Sequence, residues 1–299
     1  MAACSACGAR SACVALHLVN PLELEEALLL AGSEDGAVRV WRGWQRCAQP
    51  GAPRPRLAAA WRALPGSLPT RPAPRFGAAY SYQQAAGCLY VAGEAAGGGG
   101  GALHVWDLGR EALAECVPLS TLQAGAGVTC LSAAAGALLL GGASDGRLLS
   151  FDLRSPARLL SSARLHTAPL RGVLLQPGGA PHALVTASAA GELVWSDLRA
   201  LMEPLAVVQA HPGGLQALAA HPASPVIATG SGPDRCVRLF DVSAQPLGTI
   251  KYHLAFLGQR IAPVTSLAFS PTDPLLVAGG ADGVACIYGQ PEGGAVRMD

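Results

Sequence analysis

Short apolar stretches separated by turn residues recur along the whole chain. Six copies share one order of features: an apolar run, small residues, a turn, a second alternating run, and a closing aromatic residue or Asp. They occupy residues 28–41, 89–107, 138–152, 184–197, 227–241 and 276–288. Apolar and polar residues alternate in the second run, as at Val38, Arg39 and Val40, so one face of each strand is apolar. The pattern predicts paired β-strands.

Each copy has the features of a β-hairpin with further strands beside it. Asp-Gly in the turn favours a tight connection, because Gly tolerates a positive φ. A third apolar run precedes each copy, at residues 14–18, 76–82, 128–131, 173–175, 215–219 and 264–269. A short fourth run follows most copies, as at residues 205–208 and 247–250. Four strands per repeat are typical of a β-propeller blade.

The spacing of the copies supports the same fold. Their closing positions are 41, 106, 151, 196, 240 and 288, which gives separations of 65, 45, 45, 44 and 48 residues. Four of the five separations are close to the WD-repeat period of roughly 40–45 residues. We therefore expect an all-β WD-repeat β-propeller with six recognisable four-stranded blades.

The long first separation contains an insert at residues 48–74, with seven prolines and four arginines. Its apolar centre, residues 57–64, is interpreted as the outer strand of the first blade. The alternative is that the insert is a proline-rich ligand for another domain.

Composition narrows the class of protein. Apolar residues make up 51% of the 299 positions and charged residues 14%, with 37 Gly and 23 Pro, which suits buried strands and turns. The net charge of +1 gives no field that would attract nucleic acid, and the apolar runs are too short for direct membrane insertion. Nine cysteines without paired spacing indicate reduced thiols in a cytoplasmic protein.

WD repeats often contain a buried chain of His, Ser or Thr, turn Asp and Trp, and two copies keep parts of it. His211, Thr229 and Asp234 are predicted to form three members, with Phe240 in place of the Trp. In the preceding copy, His166 and Ser188 are expected to face a turn in which Ala190 replaces the Asp. Positions with a structural role in turns and blades are Asp35, Trp41, Trp106, Asp107, Asp145, Asp152, Asp197, Asp234, Asp241 and Asp282.

The sequence offers little chemistry. Cys4, Cys7, Cys13 and His17 have a spacing that zinc ligands use, but no second C-x2-C pair supports it, so a tail and a strand histidine are the preferred interpretation. Neither a nucleophile elbow nor a phosphate-binding loop is present. We predict no catalytic residues, no metal and no cofactor, and hence a protein that is not an enzyme.

One segment combines aromatic and basic residues. It contains Lys251, Tyr252, His253, Phe256 and Arg260, and these are the predicted partner-binding residues. The alternative is an inter-blade loop that places Phe256 in the core.

Several stretches resemble the C-terminal propeller of the raptor family, the regulatory subunits of TOR kinase complexes. They are SEDGAVRVWRGW, AAWRALPGSLPTR, SDGRLLSFDLR, RLHTAPL and the segment at residues 250–288, which begins IKYHLAFLGQR. The resemblance runs from about residue 11 to residue 288. It implies a non-enzymatic protein-interaction scaffold in TOR signalling, with subunits of the TOR complex as protein partners. It also implies a cytoplasmic location with peripheral association at the lysosomal or vacuolar membrane. The alternatives are an unrelated cytosolic WD-repeat adaptor and a propeller enzyme.

The predicted organisation is an N-terminal tail at residues 1–10, a propeller at residues 11–289 and a C-terminal tail at residues 290–299. The family propeller has seven blades, so a seventh blade is expected to be missing at the N-terminus.

Overall fold

The chain consists almost entirely of β-strands in the part that the computed structural model describes. That part comprises residues 12–20, 27–46, 54–64, 77–93, 101–123, 125–133, 136–154, 158–252 and 260–289. Within it, the helical segments are three single 3-10 turns at Trp44–Arg46, Gln84–Ala86 and Pro177–Gly179. The two predicted tails lie outside the described residues, so the domain boundaries stay predictions.

The first three sheets each have four strands. The first sheet contains β1 (Cys13–Val19), β2 (Leu28–Ser33), β3 (Ala37–Arg42) and β4 (Arg56–Arg62). The second contains β5 (Ala78–Gln83), β6 (Cys88–Gly93), β7 (Ala102–Asp107) and β8 (Ala112–Pro118). The third contains β9 (Val128–Ala133), β10 (Leu138–Ala143), β11 (Arg147–Asp152) and β12 (Arg158–Arg164).

The last three sheets follow the same plan. The fourth contains β13 (Leu170–Leu175), β14 (Ala183–Ser188), β15 (Glu192–Asp197) and β16 (Ala206–Gln209). The fifth contains β17 (Ala217–Ala220), β18 (Val226–Ser231), β19 (Cys236–Asp241) and β20 (Pro246–Ile250). The sixth contains β21 (Val264–Phe269), β22 (Leu275–Gly280) and β23 (Ala285–Gly289).

Strands that follow one another in sequence are neighbours in each sheet, and their pairing is antiparallel. This is the blade architecture of a β-propeller, so the predicted fold class is confirmed. The insert before the second blade supplies β4, as expected. The sixth sheet differs from the prediction of four strands, because three strands lie within its described residues.

The first of two compact units comprises residues 2–145 and 149–162 and contains most of the first three blades. Leu30 and Val38 of the first blade pack against Tyr80 and Leu89 of the second. The Tyr80 hydroxyl also donates a hydrogen bond of 2.6 Å to the Ser33 carbonyl oxygen. Tyr80 therefore joins the two blades through apolar packing and through a hydrogen bond.

A further apolar cluster of this unit joins its second and third blades. Leu103 and Val117 of the second blade belong to the same cluster as Leu139, Leu149 and Phe151 of the third, and four of these five side chains are fully enclosed. Burial of such side chains contributes about 1.5–3 kcal/mol each relative to leaving them in water.

The second unit comprises residues 146–148 and 163–299 and contains the last three blades. Trp195 of the fourth blade meets Phe240 of the fifth edge-on, with ring centroids 5.9 Å apart. Val237 of the fifth blade packs with Val264 and Leu276 of the sixth. Apolar sheet faces thus meet at both blade junctions of this unit.

The first strand shows that alternation alone does not identify a covered face. Ala15 and Val19 of β1 pack in the cluster with the second blade. Val14, Leu16 and Leu18 lie on the other face and are 49%, 62% and 43% exposed. Both faces are apolar, and one of them lies open in the described structure.

Candidate interaction site and the polar networks of the blades

Four of the predicted structural aspartates lie in turns between the second and third strands of a blade. Asp35, Asp145, Asp234 and Asp282 occupy these turns in the first, third, fifth and sixth blades. Asp35 Oδ1 accepts a hydrogen bond from the amide of Ala37 at 3.3 Å, and Asp282 Oδ1 accepts one from Val284 at 3.1 Å. The carboxylates of Asp35 and Asp282 therefore hold their own hairpin turns.

The other four aspartates end the third strand of a blade. Each accepts a hydrogen bond from a backbone amide two or three residues further on, at 2.8–3.0 Å; the residues are Asp107, Asp152, Asp197 and Asp241. Hydrogen bonds from the Arg199 side chain and amide hold the pKa of the Asp197 carboxyl well below its ordinary value. These carboxylates shape the turn into the outer strand.

The two predicted tryptophans contribute to packing. Trp106 Nε1 donates a hydrogen bond of 3.1 Å to the Ala63 carbonyl oxygen, and its ring lies 5.9 Å from that of Trp61. Trp41 lies half-buried in β3, opposite Leu29 of β2.

A buried polar chain crosses the fifth blade. The His211 side chain has no solvent exposure; its Nε2 lies 2.8 Å from Thr229 Oγ1, and its Nδ1 lies 3.5 Å from Asp234 Oδ2. The Cys236 sulfur lies 3.8 Å from the same Nδ1. Burial lowers the pKa of His211, with Asp234 opposing the shift. The predicted three-membered chain therefore exists.

The fourth blade has the same chain with a different carboxylate. His166 Nε2 lies 2.8 Å from Thr186 Oγ1, and Nδ1 lies 3.6 Å from Glu192 Oε2. The prediction named Ser188 as the hydroxyl residue of this blade, whereas the hydroxyl that meets the ring belongs to Thr186. The Ser188 hydroxyl has no hydrogen-bond partner among the described residues. The residue missing at Ala190 is replaced by Glu192 at the start of β15.

The predicted partner-binding residues lie between the fifth and sixth blades of the second unit. Lys251, Tyr252 and Arg260 are exposed, and Tyr252 pairs with Arg260 in an isolated antiparallel bridge. The amide of Ile261 donates a hydrogen bond of 3.0 Å to the Lys251 carbonyl oxygen, so the two ends of this connection lie side by side. The predicted members His253 and Phe256 lie outside the described residues.

Sequence reasoning missed one residue of this region, Arg235. It is exposed, has a φ of 48°, and its Nε donates a hydrogen bond of 3.1 Å to the Ile261 carbonyl oxygen. Arg260 Nη2 in turn donates to the Asp234 carbonyl oxygen at 3.0 Å. The signal was an Arg at the turn position where other copies have Gly.

Metal and membrane sites were sought in the described residues. They contain no group of three or more His, Cys, Asp or Glu side chains arranged to hold a metal ion. Cys13 is exposed in β1 and His17 is partly buried there, whereas Cys4 and Cys7 lie outside the described ranges. No helix in the part described is both long enough and apolar enough to cross a bilayer.

Comparison with known proteins identifies the family. The WD domain, G-beta repeat family matches residues 202–241 and 245–289. The Arabidopsis thaliana protein named Regulatory-associated protein of TOR 1 is 36% identical over 277 residues, which are 91% of this chain. Its Oryza sativa counterpart, Regulatory-associated protein of TOR 2, is 36% identical over 280 residues, 89% of the chain. The chain is a homologue of part of raptor.

A solved structure agrees with this assignment. Crystalline Chaetomium thermophilum Raptor superposes with a TM-score of 0.75 at 25% identity, over 94% of this chain and 24% of that protein. The resemblance to raptor inferred from the sequence is therefore confirmed. The chain spans 19% and 18% of the length of its Arabidopsis and rice relatives, about a fifth of a raptor protein.

Proposed function

We propose that the chain is a non-enzymatic protein-interaction scaffold in TOR signalling. The observation that carries the proposal is the homology over nine tenths of the chain to proteins named as regulatory-associated proteins of TOR. A Schizosaccharomyces pombe relative, 27% identical over 88% of the chain, is named as a subunit of target of rapamycin complex 1. Protein subunits of a TOR complex are therefore the proposed partners.

The use of the polar side chains supports a scaffold. His166 and His211 are enclosed, and each is paired with a threonine and a carboxylate of its own blade region. The strand-end aspartates bind backbone amides of neighbouring turns. General acid–base catalysis requires a side chain within reach of a substrate proton, and these groups are committed to structural contacts.

The recess on the sixth blade agrees with that interpretation. It is lined mainly by small or apolar residues such as Ile261, Val264 and Ala278, with Asp282 as its carboxylate. A small-molecule site normally combines an enclosed apolar pocket with several converging polar groups.

We propose a cytoplasmic location, with association at lysosomal or vacuolar membranes mediated by the protein partners.

Co-purification tests the scaffold function. The tagged chain is expressed in cells of the organism that encodes it, and the proteins that co-purify with it are identified by mass spectrometry. We expect the TOR kinase or its associated subunits. Recovery of chaperones alone, or of an unrelated set of partners, would contradict the proposal.

A folding-defective variant provides the matched control. A Cβ at Gly191 would meet the His211 backbone, and its φ of 86° already disfavours a side chain, so Gly191→Leu should lose much of its stability and expose unfolded chain. Proteins recovered equally with this variant bind unfolded chain and are discounted.

A further inference from the structure

Four exposed side chains form one surface of the second unit. Arg235 comes from the turn between β18 and β19, and Lys251, Tyr252 and Arg260 come from the connection between β20 and β21. We call these four residues the basic–aromatic surface. It contains three cations and one aromatic ring, and Tyr252 is 57% exposed.

Two crossed hydrogen bonds hold this surface together. Arg235 Nε donates to the carbonyl oxygen of Ile261, next to Arg260. Arg260 Nη2 donates to the carbonyl oxygen of Asp234, next to Arg235. Each guanidinium is thus anchored beside the other residue's backbone. The two guanidinium groups are held in place before a partner binds, which reduces the entropy lost on binding.

Arg235 is one of six non-glycine residues with a positive φ in the described structure, and it lies in a hairpin turn where other blades have Gly. The equivalent turns of the first, third, fourth and sixth blades place Gly at positive φ, at Gly36, Gly146, Gly191 and Gly283. Arg235 adopts φ 48°, a left-handed conformation that costs a residue with a Cβ free energy that Gly avoids. Residues held in such conformations cluster at functional sites, and an arginine here has a chemical use.

The local packing makes room for this side chain. In two other turns of the same unit, a Cβ on Gly146 or Gly191 would meet the carbonyl of His166 or His211. The Arg235 side chain instead extends to the Ile261 carbonyl oxygen, in the connection between β20 and β21, and hydrogen-bonds it. This junction accommodates an arginine where the other two admit only Gly.

The charges of the surface are not balanced by the surrounding described residues. No carboxylate among them lies within ion-pair distance of Arg235, Lys251 or Arg260. Hydrogen bonds between described side chains and backbone use one N–H of each guanidinium, and a guanidinium carries five. The remaining N–H groups match carboxylate oxygens in a bidentate geometry.

We propose that the basic–aromatic surface binds an acidic linear segment of a protein partner. Its carboxylates pair with Arg235 and Arg260, and an apolar side chain packs on the Tyr252 ring. The proposal rests on the scaffold function, for which it names the chemistry of one partner. A peptide is favoured over nucleic acid or an anionic membrane, because those polyanions require an extended basic field, and the chain's net charge is +1.

Fluorescence anisotropy with a defined probe tests the surface. The probe is a fluorescein-labelled peptide of Asp, Glu and Leu, and the control peptide has Lys and Arg in place of the acids. The full chain should bind the acidic probe, with an affinity that falls several-fold between roughly 50 mM and 200 mM salt. Arg235→Gly and Arg260→Ala should each weaken binding about tenfold.

Arg235→Gly separates binding from folding. Gly suits the positive φ, so its melting temperature should equal or exceed that of the unsubstituted chain. Arg199→Ala removes an exposed arginine that is paired with Asp197, and it should leave probe binding unchanged. Unaltered binding by both Arg235→Gly and Arg260→Ala would overturn the proposal.

Two further measurements distinguish the remaining outcomes. Binding to phosphatidylserine vesicles that is lost in Arg235→Gly, without binding of the acidic peptide, would overturn the peptide in favour of a membrane. Recovery of TOR-complex subunits without peptide binding would overturn this surface and leave the scaffold function intact. Peptide binding without TOR-complex subunits would support the surface and contradict the proposed complex.

Discussion

The buried histidines of the fourth and fifth blades make matching contacts through Nε2 and different contacts through Nδ1. Thr186 and Thr229 lie at equivalent strand positions and meet the two Nε2 atoms at the same distance of 2.8 Å. The Nδ1 of His211 faces Asp234 from the hairpin turn, whereas the Nδ1 of His166 faces Glu192 from the start of a strand. Each ring has a hydroxyl on one side and a carboxylate on the other.

The first residue of the third strand also lies beside the histidine ring in each blade, and it differs between the two blades. Cys236 begins β19 as Glu192 begins β15, and both lie near the histidine Nδ1. The fifth blade therefore combines a turn aspartate with a strand cysteine. The fourth blade combines Ala190 in the turn with a strand glutamate. In both blades a carboxylate faces Nδ1, although a different neighbouring residue supplies it.

Neutral imidazole fits both sites. Burial lowers the pKa of His166 and of His211. A neutral ring has one N–H donor and one acceptor. In the fifth blade the Thr229 hydroxyl donates to the Arg238 carbonyl oxygen at 3.2 Å, so its contact with His211 fits an Nε2–H donor.

Exchanging the turn residues should give the largest difference between these blades. Gly191→Arg places a side chain against the His211 backbone at φ 86°, and we expect a loss of more than about 3 kcal/mol in the free energy of unfolding. Arg235→Gly should be neutral or stabilising. Urea denaturation followed by tryptophan fluorescence measures both. Similar losses in the two variants would contradict the inferred difference between the turns.

Removing either carboxylate should have the next largest effect. Asp234→Ala and Glu192→Ala each remove the carboxylate that faces Nδ1 of an enclosed histidine, and we expect a loss of about 1–3 kcal/mol in the free energy of unfolding. Asp234→Ala should cost more, because Asp234 Oδ2 also accepts a hydrogen bond from the Gly213 amide at 3.4 Å. Denaturant titrations of the two variants provide the comparison.

A transplant sharpens the same comparison. Glu192→Cys with Ala190→Asp gives the fourth blade the residues of the fifth, and we expect the double variant to recover part of the loss caused by Glu192→Cys alone. Recovery should be partial, since the turn from Ser188 to Glu192 is one residue shorter than the turn from Ser231 to Cys236. Strict additivity of the two changes would show that the turn aspartate does not reach His166.

The smallest expected effect is on pH dependence. Folding lowers the pKa of His166 and His211 below the ordinary value of 6.5. Below that pH the unfolded chain binds the proton more readily, so stability should fall on acidification through about pH 6.5, by at most about 1.4 kcal/mol per pH unit for each histidine. Burial lowers the pKa of His17 and His104 as well, so these two rings contribute in the same direction.

Substituting each histidine shows how much of the pH dependence of stability that residue contributes. The drop in melting temperature between pH 7.5 and pH 5.5 should be smaller in His166→Asn and in His211→Asn than in the unsubstituted chain, even though both variants are less stable at pH 7.5. An unchanged drop in both would assign the pH dependence to other groups.

Sequence reasoning located the hairpins because they depend on neighbours along the chain. The alternation of apolar residues and the Asp-Gly turns predicted the paired strands, including β4 within the proline-rich insert. The contacts among His211, Thr229 and Asp234 were also predicted, because Thr229 and Asp234 lie within one sequence repeat and His211 lies in the loop just before it. The pairing of His166 with Thr186 and Glu192 was missed, since the prediction considered only Ser188 and the turn in which Ala190 replaces the Asp.

Local pattern by itself determined that this chain folds into WD-repeat blades, whereas the link to raptor proteins came from resemblance to known sequences. Tertiary structure decided which carboxylate reaches a buried histidine and which apolar face is covered. The outward row Val14, Leu16 and Leu18 alternates as regularly as the buried rows do. Tertiary structure also decided that the Arg235 side chain meets the carbonyl oxygen of a residue 26 positions further along the chain. Alternation and turn chemistry act over a few residues, whereas these contacts depend on how separate strands are brought together in space.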